Sequence, residues 1–145
     1  MNLVVGVDPG GKFCGVVSRE GDQVTRATLC TRSDAQTDAQ WLREVVETIY
    51  QHRTTRSTVA VEGLTHPNPH LGLANVTGLL NTAQVLGAVL FAIPTAIVVP
   101  PGGNGSGPLS SYPAELVGAR EKQGTGKRRH LRSAWDVAGS VCGGV

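Results

Sequence analysis

The sequence predicts an α/β fold: a five-stranded mixed sheet, three strands antiparallel and two parallel, flanked by helices, in a single domain spanning residues 1 to 145. Three observations carry this. The first thirty residues hold three strand-like runs in succession; hydrophobic residues then switch to a helical period; and from there strands and helices alternate to the end. A chain of 145 residues buries one real core and is too short for two.

The first run, residues 2 to 8, is apolar and Val-rich, as suits a strand buried on both faces. "FCGVVS" (13 to 18) and "QVTRATLC" (23 to 30) follow, joined by Arg19-Glu20-Gly21-Asp22, with Gly where a tight reversal needs it. Trp41, Leu42, Val45, Val46, Ile49 and Tyr50 then recur at helical spacing. Ser33 and Gln36 have the spacing of a capping box, predicting a helix over about 34 to 52. "STVAVEG" (57 to 63) reads as a strand and "LTHPNPHLG" (64 to 72), with its prolines, as a loop. Residues 73 to 91 form a helix apolar around most of its girth, and "TAIVVP" (95 to 100) is the last strand. A Gly- and Ser-rich loop (100 to 111), a short helix at "YPAELVGA" and a mobile stretch at 120 to 128 lead into a final helix from His130. Its stripe is Leu131, Ala134, Trp135, Ala138, Val141 and Cys142.

Composition excludes several classes. At 40% hydrophobic and 17% charged, the chain is neither disordered nor fibrous. Cys14, Cys30 and Cys142 stand far apart in sequence, which argues against a disulfide framework or a zinc knuckle and suits a reducing cytoplasm, bacterial or phage-infected. The N-terminus has no basic leader, and the apolar stretch from Val85 to Val99 is broken by Pro94, so no membrane segment is expected. The helix at 73 to 91 is so apolar that a second copy of the chain is a natural cover for its outer face, giving an expected homodimer.

The chemistry lies in acids at strand ends. Asp8 closes the first strand and Glu62 the fourth, and if these strands are parallel neighbours, both carboxylates meet at the edge where α/β sheets bind ligands. Two anions held together repel unless a cation or a proton intervenes, and a hard divalent cation with oxygen ligands is the simple solution. Taken alone, Asp8-Pro9-Gly10 is good turn chemistry; with Glu62 it becomes half of a cation site. His66 and His70 lack acid or Cys partners in their loop and read as surface histidines, and Trp41 and Trp135 read as core.

"VVGVDPG" ahead of a three-strand meander, "VAVEG" on the fourth strand and "HLRSAWDVAG" on the last helix resemble the RuvC-type Holliday junction resolvases of the ribonuclease H-like superfamily, over nearly the whole chain. The resemblance implies a homodimeric nuclease that cuts four-way junctions, flaps or forks by paired nicks. Asp8, Glu62 and Asp136 would hold two Mg²⁺ ions, for which Mn²⁺ substitutes, roughly 3.5 to 4 Å apart. Family members carry a further Asp or His one turn before the last acid, and here that position is Ser133. His130 stands one turn earlier again and is expected to reach the site only if the helix starts irregularly, because it projects well round the helix from Asp136.

Basic residues supply candidate phosphate contacts. From Arg120 to Arg132 the chain has six Lys or Arg against one Glu. Lys127, Arg128, Arg129 and Arg132, with Lys12 after the Asp8 turn, are the candidates for DNA. By periodicity alone Asp136 faces away from the apolar stripe, as a solvated residue would. Two other readings stay open: a branched-DNA-binding protein without catalysis, and a small nucleotide-binding protein of the actin-like type, whose first strand also ends in Asp and a Gly-rich turn.

Overall fold

The computed structural model describes residues 2–65, 70 and 72–142. The strands are β1 (Leu3–Asp8), β2 (Phe13–Glu20), β3 (Gln23–Thr31), β4 (Thr58–Glu62) and β5 (Ile97–Val99), and the helices α1 (Asp38–His52), α2 (Gly72–Ala92) and α3 (Arg129–Cys142). The sheet order is β3-β2-β1-β4-β5. β1, β2 and β3 pair antiparallel, whereas β4 and β5 add to β1 in parallel. The predicted mixed sheet is therefore present, with its change of direction at β1/β4. His66 and most of the expected 64-to-72 loop lie outside the described residues.

Strand alternation sorts the core into two layers. Val5 and Val7 of β1, Val59 and Val61 of β4, and Cys14 and Val16 of β2 face Trp41, Val45 and Ile49 of α1 and Val85 and Val89 of α2. The intervening residues face α3: Val17 with Leu131, Ala134 and Trp135, and Val4 and Ala60 with Val137 and Ala138. Two positions on the α3 side have no side chain. A Cβ at Gly6 would overlap the Ala134 carbonyl, and one at Gly15 the His130 carbonyl, so the helix backbone lies directly on the strands.

Local differences from the expected elements have physical causes. The capping box of α1 is Thr37 with Gln40, one turn later than Ser33 with Gln36. Ser33 and Gln36 instead close a turn of their own, through Ser33 N–H to Gln36 Oε1 and Ala35 N–H to Ser33 Oγ. "YPAELVGA" forms no α-helix but one 3₁₀ turn, Ala114–Leu116, and another, Leu109–Ser111, closes the loop ahead of it, each behind a proline. Cys14 and Cys30, far apart in sequence, are cross-strand neighbours of β2 and β3, and both are buried free thiols.

α2 is the apolar helix read at 73 to 91. At 21 residues it is long and apolar enough, by length and composition, to cross a membrane. Val85 and Val89 seat it in the core, while Leu73 is 79%, Leu80 63% and Phe91 90% exposed.

Between α1 and the sheet lies a polar tie. The His52 ring is buried, with Nδ1 2.6 Å from Ser18 Oγ and Nε2 2.9 Å from Thr28 Oγ1. A neutral imidazole satisfies both hydroxyls, donating from one nitrogen and accepting at the other. Burial, assisted by the charge of Arg26, lowers the pKa of His52 to about 4. The unfolded chain takes up a proton at about 6.5 that the folded protein refuses until about 4. His52 therefore makes stability fall as pH drops from about 6.5 to about 4. Urea unfolding across that range is expected to show this loss in the wild type, and His52→Asn is expected to flatten it.

Candidate functional site

Period-two alternation decides where the acids point. Asp8 follows Val4 and Gly6 on the α3 side of β1, and Glu62 follows Ala60 on the α3 side of β4. The parallel register pairs Val7 with Val61, so Asp8 and Glu62 are the next residues along and stand side by side. Both line an open cleft of about 720 Å³ at the carboxyl edge of the sheet, together with Lys12, Phe13, Asn104, Arg129, His130 and Ser133. The turn after Asp8 is held from below. Trp41 donates its indole N–H to the Gly10 carbonyl, and Gly11 leaves no room for a Cβ against Asn81 of α2.

α3 brings its first turn to these acids. His130 Nδ1 lies 3.0 Å from Asp8 Oδ2, and Ser133 Oγ donates to Glu62 Oε2 at 3.4 Å. No irregular start is needed, since α3 is helical from Arg129. His130 sits in line with Ala134 and Ala138, the row that rests on the sheet, and so extends that row past Gly15 to Asp8. The Phe13 ring stacks on the imidazole with centroids 5.4 Å apart.

Asp136 is not brought to this cleft. Its Oδ2 accepts from the Gly105 N–H at 2.8 Å and from the Tyr112 hydroxyl at 2.7 Å. The half-buried carboxylate thus anchors the loop after β5 instead of joining Asp8 and Glu62. The reason is helical: Asp136 lies one turn farther along α3 than Ser133, back from the carboxyl edge, on a helix whose next residues, Val137 and Ala138, already pack on Val4 and Ala60. Burial and the bond to Asp136 push the Tyr112 hydroxyl up to about 12, keeping it a donor. The same loop delivers Asn104, whose Nδ2 donates to Glu62 Oε2 at 2.6 Å. Sequence reasoning passed over Asn104, although a lone amide in "PGGNGSG" is the loop's one side chain able to both donate and accept through separate atoms.

The basic candidates separate into groups. Lys12 and Arg129 are exposed and line the cleft, and Lys127 Nζ lies 5.8 Å from the Phe13 ring, as does Lys12 Nζ. Arg128 turns the other way, donating to the Glu115 carbonyl. Arg132 is fully buried and corrects its assignment as a DNA contact. Its guanidinium donates to the carbonyls of Leu116 and Thr125 and to Glu121 Oε1 at 2.9 Å. Residues 120 to 128, expected to be mobile, wrap around this one cation, with Glu121 also accepting from Gly118 N–H and Arg128 N–H.

Burial raises the Glu62 carboxyl above its ordinary value; bonding to Asn104 opposes this, the Asp8 charge adds to it, and Ser133 and Arg129 oppose it. Two carboxylates pressing on each other in one cleft suit a hard cation. Among the described residues, Asp8 Oδ1 and Glu62 Oε1 accept no hydrogen bond, while no group of three or more His, Cys, Asp or Glu is arranged to hold a metal ion. The donor chemistry therefore fits one divalent cation completed by neutral oxygens, and the third carboxylate expected for a pair of ions points elsewhere.

No protein-family model and no curated protein matches this sequence. Solved structures do. The fold matches that of Thermus thermophilus RuvC in complex with a Holliday junction substrate, with a TM-score of 0.64 at 15% identity, covering 95% of this chain and 91% of that one. A second Thermus thermophilus RuvC structure matches with a TM-score of 0.58 at 18% identity, covering 94% and 90%. The fold is that of RuvC. The RuvC-type, ribonuclease H-like architecture read from "VVGVDPG", "VAVEG" and the last helix is thus the one observed.

The Arg132 cage yields a measurable consequence. Removing one partner of a buried charge pair leaves the other uncompensated, which costs roughly 3 to 5 kcal/mol. Arg132→Ala is expected to lower the urea-unfolding free energy by about that amount, and to release the 118-to-128 segment to limited proteolysis.

Proposed function

We propose that this protein is a metal-dependent endonuclease that cuts branched DNA, in the manner of a junction resolvase. The observation that carries the reading is the placement of Asp8 and Glu62 side by side at the carboxyl edge of two parallel strands, in a cleft that also holds His130. Asp8 and Glu62 would hold a Mg²⁺ or Mn²⁺ ion, with His130 bonded to Asp8 and Ser133 to Glu62 fixing their orientation. Bound between them, a divalent cation would supply water activation and charge neutralisation at the leaving oxygen. Arg129 and Lys12, exposed on the cleft walls, would hold the phosphate backbone, and Lys127, near Phe13, would extend that basic surface.

A homodimer belongs to the same reading. Leu73, Val76, Leu80, Gly87 and Phe91 share one exposed face of α2, at spacings of three, four, seven and four residues with Gln84 between Leu80 and Gly87. A second copy is the occupant that would bury this face and set two clefts in one assembly for paired nicks.

A second reading is favoured by one observation. Both carboxylates already have protein partners, and the residue aimed at Glu62 from α3 is a serine. On this reading the protein grips branched DNA without cutting it.

Labelled four-way, flap and linear DNA incubated in Mg²⁺ and in Mn²⁺ separate the two. Cleavage of the branched substrates is expected, lost in Asp8→Asn and Glu62→Gln with binding retained and weakening steeply as salt rises. Junction binding with no cleavage in either metal would establish the second reading. In light scattering at micromolar concentration the wild type is expected to run as a dimer, and Leu80→Glu as a monomer.

A further inference from the structure

We infer that Asn104 is a ligand of the cation site, and that Asp136 with Tyr112 is the clamp that holds it there. The inference rests on the cation reading above and adds to it the donor that reading lacks. Asp8 and Glu62 alone make an incomplete set, and among the described residues no third acid, His or Cys completes it. Asn104 Nδ2 lies 2.6 Å from Glu62 Oε2, nearer than Ser133 Oγ at 3.4 Å. Its amide carries a nitrogen donor and an oxygen acceptor on one planar group. Turning the amide about its last bond exchanges the nitrogen that bonds Glu62 for an oxygen of the kind hard cations take.

The loop around Asn104 is built to keep it in place. Gly105 has φ +79°, and a Cβ there would come within 2.8 Å of the Arg129 carbonyl and 2.9 Å of the Ser133 amide nitrogen. The loop backbone thus lies against the first turn of α3, the turn that carries His130 and Ser133. Gly105 N–H donates to Asp136 Oδ2, Gly107 N–H donates to the Tyr112 oxygen, and the Tyr112 hydroxyl donates to the same Asp136 oxygen. Asp136 is therefore a positioning residue, holding from α3 the loop residue next to the amide it places. The polar residue of α3 that the family resemblance assigns to the metal acts on the site through Asn104.

Mn²⁺ titration of the full chain, followed by electron paramagnetic resonance of the free ion, tests this without recourse to cleavage. Wild type is expected to bind Mn²⁺ and Glu62→Gln to lose it, which secures the underlying cation reading. Asn104→Ala is then expected to weaken binding about tenfold, and Asn104→Asp to strengthen it by about the same factor. Asp136→Ala is expected to match Asn104→Ala. Asp136→Asn keeps an oxygen that accepts both bonds and is expected to bind as the wild type does. Circular dichroism confirms that each variant is folded.

Undiminished or tighter binding in Asn104→Ala would make the amide a bystander or a plug and overturn the inference. So would loss in Asp136→Asn as complete as in Glu62→Gln, which would make Asp136 a ligand itself. A wild type that binds no Mn²⁺ would remove the cation reading, and the inference with it.

Discussion

How closely α3 can approach the sheet sets the geometry of everything at its carboxyl edge. Helices ordinarily stand off a sheet by the thickness of two side-chain layers, about 10 Å. Gly6 and Gly15 remove one of those layers at neighbouring positions of β1 and β2, where Val7 pairs with Val16 and Asp8 with Gly15. The carbonyls of Ala134 and His130 fill the space. Only at that separation can a short side chain such as Ser133 contact Glu62, and an imidazole reach Asp8, while Leu131 and Trp135 still pack against Val17. Packing on one side of the helix and chemistry at its end are the same contact, read at different heights.

A second layer of support comes from charges largely withdrawn from solvent. Arg132 and Glu121 fold the approach to α3 around themselves, and the Arg19 guanidinium lies 3.6 Å from the Trp135 ring centroid while donating to the Trp135 carbonyl. Arg19 grips α3 by its backbone and an aromatic face, whereas Arg132, part of α3, grips the segment that leads into the helix. A basic composition in this region therefore has two uses that composition does not separate: some guanidinium groups line the cleft, and others fasten the helix that forms its wall.

Much of the fold was legible because it depends on local period. The strand runs, the helical stripes and the acids at the ends of β1 and β4 follow from the spacing of apolar residues and needed no tertiary knowledge. The capping of α1 slipped by one turn because two boxes, Ser33 with Gln36 and Thr37 with Gln40, stand in tandem, and only packing of Trp41 chooses between them. The site was legible in part. Asp8 and Glu62 could be paired from parity alone, since each follows an even number of residues after a position that faces α3. Asn104, the burial of Arg132 and the distance of Asp136 from the other acids all arise from where the β5 to α3 connection runs, and a glycine-rich connection carries almost no periodic information about its path. His130 was misjudged for a different reason: measured against Asp136 it projects away, whereas measured against Ala134 it lies on the line that meets the sheet.

The side-by-side acids have one further consequence, which concerns how such a site can change. Because strand side chains alternate faces, the cation cleft exists only in one reading frame of β1 relative to β4. Substitutions that keep the count of residues from Val4 to Asp8 and from Ala60 to Glu62 leave both acids on the α3 side, however the apolar identities drift. Inserting or deleting a single residue within either strand sends its acid to the opposite face, into the layer of Trp41, Val45 and Val85, where a carboxylate has neither cation nor water. Sequence can wander far in this architecture while strand length cannot, which is a physical reason for folds to remain superimposable when their identity has fallen to 15%.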